Sequence, residues 1–122
     1  MVQTKPMQIT NVGEEIGKEL GAQMISSYRT ANPSDVTSYC VGRNILEQIL
    51  AQPGCAGVKF YNAYNEVGQK TLVYVGVNAE GNDMLTVSSI NISGQLESNK
   101  GIVADRILVG GLENWFDWWN VD

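Results

Sequence analysis

The chain has no histidine. Histidine is the commonest general base and a frequent metal ligand, so its absence excludes a Ser–His or Cys–His nucleophile pair. Cysteine is scarce as well, with only Cys40 and Cys55. Two are too few for a disulfide framework, and these are too far apart for a Cys-x-x-Cys redox pair. Without histidine beside them they make a poor zinc set, and in a reducing cytosol they are expected as small buried hydrophobes. Positive charge is thin: eight Lys and Arg stand against thirteen Asp and Glu, for a net charge of −5. The imbalance is concentrated after residue 56, where four bases face eight acids. With no basic run, a grip on phosphate backbones is not expected, and nucleic acid is excluded as a partner. No apolar run approaches the ~18 residues of a membrane span, and the first residues carry no apolar signal region. Membrane association is therefore not expected, and the expected location is cytoplasmic.

What is present suits a single domain over residues 1–122, long enough for a core without staples. The clearest pattern is a hairpin in Gly57 to Asp83. Lys70 to Asn78 places Leu72, Tyr74 and Gly76 on one strand face and Thr71, Val73, Val75 and Val77 on the other. Both faces are largely apolar, which predicts a strand covered on both sides. Gly57 to Asn65 is its mixed neighbour, joined through Glu66-Val67-Gly68-Gln69. Gly76 calls for a close neighbour, a packed helix or a bulge. A second turn, Ala79-Glu80-Gly81-Asn82, is crowded with Asn78, Glu80, Asn82 and Asp83. It lacks the spacing of a calcium loop, and an ordinary turn with Gly81 at positive φ explains it.

Helices flank the hairpin. Val12, Ile16, Leu20, Met24 and Tyr28 recur every four residues, predicting a helix from about Asn11 to Ala31. Asn11 and Glu14 resemble a capping box at its start, and Asn32-Pro33 ends it. Beside that row run Gly13, Gly17 and Gly21, each costing a helix interior about 1 kcal/mol. They point to close backbone packing or to a homodimer contact. A second helix runs from about Arg43 to Gln52, with Ile45, Ile49, Leu46 and Leu50 as its apolar pairs, and Gln52-Pro53-Gly54 stops it. Asp83 to Ser93 reads as a third strand, Gly94 to Gly101 as a polar loop, and Ile102 to Val109 as a fourth strand. No internal repeat stands out. At the end, Leu112, Trp115, Phe116 and Trp119 share one helical face, with Trp118 at its edge. The expected class is α+β: an antiparallel three- to four-stranded sheet with a long N-terminal helix, a short second helix and a short C-terminal aromatic helix.

Leu50-Ala51-Gln52-Pro53-Gly54-Cys55-Ala56-Gly57-Val58 and Thr71 through Asp83, with its Val75-Gly76-Val77-Asn78, resemble a family of small uncharacterised bacterial proteins. That family shares a helix, a Gln-Pro-Gly-Cys stop and a hairpin ending in Val-Gly-Val-Asp/Asn. The resemblance covers roughly Val41 to Met84 and departs at the tryptophan-rich end. It implies a bacterial protein with a shared fold, and no activity or site residues.

No catalytic residues, metal ligands or cofactor are indicated. Gly54-Cys55-Ala56-Gly57 and Gly110-Gly111 lack the lysine and strand-to-helix setting of a phosphate loop. Glu97, Asp105 and Glu113 are scattered acids that no spacing selects. An enzyme is therefore the weaker reading. The sequence favours a binding or assembly module, homodimeric or engaging a protein partner, through Trp115, Phe116, Trp118 and Trp119 or through the glycine row. A helix this short must dock on something, either the protein's own core or, since tryptophan is enriched where partners bind, another molecule. The alternative is a small-ligand protein or enzyme with a pocket between sheet and helices, near Gly76, Tyr61 and Tyr74.

Overall fold

A computed structural model describes residues 8–105 and 107–109. Its two helices and antiparallel sheets make the chain an α+β protein. It divides into two units, Met1–Val12 with Val41–Ile107 and Gly13–Cys40 with Leu108–Asp122.

In the first unit the hairpin is the centre. Strands β2 (Gly57–Tyr64) and β3 (Lys70–Val77) pair antiparallel from Gly57↔Val77 to Tyr64↔Lys70. The short strand β6 (Val103–Ala104) takes the other edge of β3, through Tyr74↔Ala104 and Val75↔Val103. The central strand is covered as its two-sided apolar pattern requires: Tyr74, Val75, Gly76 and Val77 are all buried. On one face lies α2 (Arg43–Leu50), whose Ile49 is fully buried. A methyl group at Gly76 would stand 3.0 Å from Cys55 Sγ and Gln52 Nε2 and 3.2 Å from Ile49 Cγ2. Packing of the helix and its stop is thus what this glycine permits. Gln52 fastens the same corner. Its Nε2 donates to the Ile49 carbonyl at 3.0 Å, and its Oε1 accepts from the Ile102 amide at 2.9 Å. On the opposite face a 3-10 turn, Ile9–Asn11, brings Ile9 to within 3.0 Å of where a Gly57 methyl would lie.

Three turns in this unit repeat one device thirteen residues apart. Asn65, Asn78 and Asn91 each use their side-chain oxygen to accept two backbone amides, two and four residues on, at 2.9–3.1 Å. Gly68, Gly81 and Gly94 each return an amide to the asparagine carbonyl and hold φ of +81°, +87° and +80°. This is the bonding of a type I turn closed by a left-handed glycine. The Asn-x-x-Gly-x period is therefore an internal repeat, which side-chain periodicity searched at helix and strand spacing does not show.

The third of these turns joins β4 (Thr86–Ile90) to β5 (Leu96–Lys100) in a two-stranded sheet of its own, from Thr86↔Lys100 to Ile90↔Leu96. The polar stretch expected as a loop over Gly94 to Gly101 is thus largely a strand. It reads as a loop because all five β5 residues are exposed and no apolar face marks it. Gly101 follows at a crossing where a methyl group would lie 1.8 Å from the Met84 carbonyl oxygen. The single strand expected over Ile102 to Val109 is instead two short ones, β6 and β7 (Leu108–Val109).

In the second unit α1 spans Lys18–Ala31, seven residues later than its expected start. Gly13 and Gly17 hold φ of +117° and +84°, outside helical geometry, and Gly17 is the N-cap. Neither is an interior helix glycine, and Asn11 ends the 3-10 turn without capping α1. The expected stop holds. The Asn32 amide and its Nδ2 both donate to the Tyr28 carbonyl, at 2.8 and 3.1 Å. Arg29 then donates to the Asp35 and Pro33 carbonyls at 2.6 and 3.2 Å, and the Tyr28 hydroxyl to the Asp35 carboxylate. The chain continues into β1 (Tyr39–Cys40), which pairs antiparallel with β7 through Tyr39↔Val109 and Cys40↔Leu108.

Candidate interaction surfaces

A helix with an apolar row normally buries it. Among the described residues α1 does not: none of its residues is buried, and Leu20, Met24 and Tyr28 are 46–56% exposed, with Ile16 before them at 42%. The less exposed side is Gly21, Ile25 and Arg29 with Ala22 and Ser26. Between those two sides, facing the returning chain at Thr37, runs an open apolar groove of about 280 Å³ lined by Met24, Ile25, Tyr28, Arg29 and Thr37. A second uncovered apolar patch lies in the first unit at the tip of the β4–β5 hairpin. There Ile90 and Leu96 stand directly opposite each other and Ile92 is fully exposed.

The sheet carries one polar constellation. The isolated bridge Val77↔Asp83 sets Asp83 beside β3, on the edge away from β2. From there its carboxylate reaches across β3 to two residues that share one face of β2. Lys59 Nζ lies 2.8 Å from Oδ1, and the Tyr61 hydroxyl donates to Oδ2. The ammonium also sits 5.6 Å from the Tyr61 ring centroid. Hydrogen bonding to Lys59, and next to Tyr61, holds the Asp83 carboxyl below its ordinary value. Asp83 and then Tyr61 raise Lys59 in return. Each partner favours the charged form of the other, so neither is poised to exchange a proton near neutral pH. The arrangement is a clamp across the sheet. The sequence placed Asp83 only among turn oxygens. The signal that leads to it is Lys59 and Tyr61 on one strand face, opposite a carboxylate that re-enters the sheet after the turn.

The space proposed for a ligand near Gly76 is filled by Ile49, Gln52 and Cys55. The pairings Phe60↔Tyr74 and Tyr61↔Val73 put Tyr61 and Tyr74 on opposite faces. Tyr74 is buried against Phe60, ring centroids 5.6 Å apart, and donates to the Asp105 carbonyl at 3.0 Å. Burial, with the Asp105 charge second, pushes its phenol up. A cleft of about 230 Å³ does open on the Lys59 face, lined by Ile9, Val12, Gly57, Val58, Lys59 and Val77. Both openings fall below the ~300–1,000 Å³ of ordinary small-molecule sites.

The oxygens of the expected calcium-like turn are accounted for by backbone bonding to Asn78, and among the described residues no acidic or thiol cluster is arranged to hold a metal. Both cysteines are free. Cys55 packs at Gly76 as expected of a small hydrophobe, but Cys40 is exposed because β1 is a two-residue edge piece rather than a core strand. Glu97 lies on β5, bonded to Asn91, and Asp105 follows β6. Trp115, Phe116, Trp118 and Trp119, with Glu113, lie outside the described residues. No helix among the described residues is long and apolar enough to cross a membrane. Comparison of the chain with protein-family models, curated proteins and solved structures finds no match.

Proposed function

We propose that this chain is a small binding and assembly module that forms a homo-oligomer through the apolar row of α1, in the cytoplasm of a bacterium. The observation that carries this reading is the uncovered row Leu20, Met24 and Tyr28 on a helix with no buried residue, with the exposed Ile16 just before it. Three apolar side chains at helical spacing, with Ile16 before them, gain about 25 cal/mol per Å² when removed from water. A second copy of the same row supplies a matching surface by symmetry. The polar constellation supports this reading rather than an enzyme, since Lys59, Tyr61 and Asp83 are engaged with one another in their charged or donor forms. The likeness of Val41 to Met84 to the small bacterial proteins with a Gln-Pro-Gly-Cys stop is part of the same proposal. In this reading the sheet is the shared scaffold and α1 carries the assembly surface.

Light scattering after size exclusion tests it. The wild-type chain is expected to run above its 13.3 kDa single-chain mass. Leu20→Asp is expected to return it to one chain with the far-ultraviolet circular dichroism of the sheet unchanged. A wild-type protein that stays at one chain mass at the highest concentration reached rules the proposal out.

A further inference from the structure

We propose that the free edge of β2 takes an uncharged, extended segment of a partner protein as a fourth strand of the β2–β3–β6 sheet, with one large aliphatic side chain of that segment seated in the cleft beside Gly57. The register fixes which groups face outward. The Asn65 amide donates to the Gln69 carbonyl, so the bonded pairs of the hairpin are the odd-numbered ones, from Ala63↔Thr71 to Gly57↔Val77. Val58, Phe60, Asn62 and Tyr64 stand in the alternate pairs, and their backbone N–H and C=O groups point away from β3. Among the described residues no strand takes that edge. A long open edge is a template for pairing, and proteins blunt theirs with proline, bulges or outward charge. β2 has none of these. It contains no proline, its eight residues pair with β3 one to one, and its single charge, Lys59, is drawn across the sheet to Asp83 at 2.8 Å. What the edge shows outward is Phe60, Tyr61 and Tyr64, all exposed, so the segment it suits is uncharged and apolar at alternate positions.

The cleft selects the anchor. Side chains directly opposite on neighbouring strands share a face, so a residue set opposite Gly57 projects on the face of Gly57, Lys59 and Val77. There the cleft of about 230 Å³ opens, lined also by Ile9, Val12 and Val58. Glycine keeps the entrance clear, since a methyl group on Gly57 would come 3.0 Å from Ile9 Cγ2. The volume is below that of an ordinary small-molecule site and suits one side chain. Pockets for alternate side chains are what give an added strand its specificity, while main-chain bonds give affinity. A second copy does not supply this anchor. Paired edge to edge with its own kind in two-fold antiparallel register about Phe60, β2 offers Gly57 only Ala63, and about Tyr61 only Asn65. The site uses no residue of α1, so it goes beyond self-association there and stands without it.

The probe is the end-blocked peptide Val-Thr-Val-Thr-Val-Leu-Thr. Antiparallel to β2, it sets its leucine opposite Gly57 and its three valines opposite Val58, Phe60 and Asn62. Added to the full-length, isotope-labelled chain, it is expected to shift the amide resonances of Val58, Phe60 and Asn62 and to slow their hydrogen exchange at least tenfold at saturation. Alanine in place of the leucine is expected to weaken binding at least tenfold. Asn62→Pro is expected to do the same, because it removes an outward amide and no bond to β3. As a check that leaves the protein unaltered, N-methylation of the probe's central valine is expected to abolish binding, and N-methylation of the threonine after it to change affinity less than twofold, since only the valine amide faces β2. No shift of these amides at millimolar probe, equal affinity of the leucine and alanine probes, undiminished binding to Asn62→Pro, or like behaviour of the two N-methylated probes would overturn the proposal. Edge amides already protected without probe would overturn it too: protection that rises with protein concentration gives the edge to a second copy, and protection independent of concentration gives it to the chain itself.

Discussion

At the scale of single residues, the Asp83 clamp gives stability a pH dependence with a definite sign. The native fold holds the Asp83 carboxyl below its unfolded value, so the folded state binds the proton less tightly than the unfolded chain. Its contribution is complete above the ordinary aspartate value of about 3.9 and is lost as pH falls through the lowered native value. Lys59 acts in the opposite direction. Its raised value leaves its contribution complete below 10.5, its ordinary value, and lost as pH rises through the native one. Asp83→Asn removes both effects while keeping the shape. Urea midpoints are expected to separate wild type from Asp83→Asn at neutral pH and to converge once the pH falls below the lowered native value of Asp83. A gap of equal size at both pH values would mean that hydrogen-bond geometry alone, without charge, makes the clamp.

At the scale of elements, the three asparagine turns share one chemistry but serve sheets of unequal weight. Asn65 and Asn78 fix the ends of the strand pair that contains the core, whereas Asn91 closes β4–β5, whose β5 residues are all exposed. Each asparagine oxygen satisfies two amides, and a net hydrogen bond is worth about 0.5–1.5 kcal/mol. Asn65→Ala and Asn78→Ala are expected to lower global stability by about 1–2 kcal/mol each, and Asn91→Ala by much less. Equal losses at all three would show that the β4–β5 hairpin unfolds with the core. The same elements show what a sequence discloses. Lys70 to Asn78 announced its two-sided burial because hydrophobic alternation is a local record of burial. The stop at Gln52-Pro53 and the positive φ at Gly81 were also legible, since proline and glycine act on their own backbone. The start of α1 was not. The four-residue apolar row runs straight through Gly13 and Gly17, and periodicity carries no mark of where a glycine leaves helical geometry. Strand β5 was hidden for the opposite reason, as Leu-Glu-Ser-Asn-Lys buries nothing and leaves no apolar pattern. The Asp83 clamp joins residues more than twenty positions apart, so only the strand register brings it together.

At the scale of the whole molecule, protection is unevenly distributed, and hydrogen exchange reads that distribution directly. Amides exchange through local openings wherever few buried contacts hold a segment, and through global unfolding where the core resides. Strand β3 is paired on both edges, with β2 and β6, and holds Tyr74, Val75 and Val77 in the core under Ile49. Its amides are expected to be the slowest, exchanging at the rate of global unfolding. Strands β4 and β5 pair only with each other, and an isolated two-stranded hairpin is marginal in water. Their amides are expected to exchange faster by orders of magnitude, including the alternate ones bonded across the pair. Helix α1 decides what its exposed face is for. With no buried residue, a monomeric α1 should exchange quickly along its whole length, because helix propensity alone sustains little structure over fourteen residues. If a second copy covers Leu20, Met24 and Tyr28, protection of α1 rises with protein concentration. An α1 that exchanges freely from Lys18 to Ala31 at every concentration would leave no second copy on it, and would return its apolar row to a partner of different chemistry.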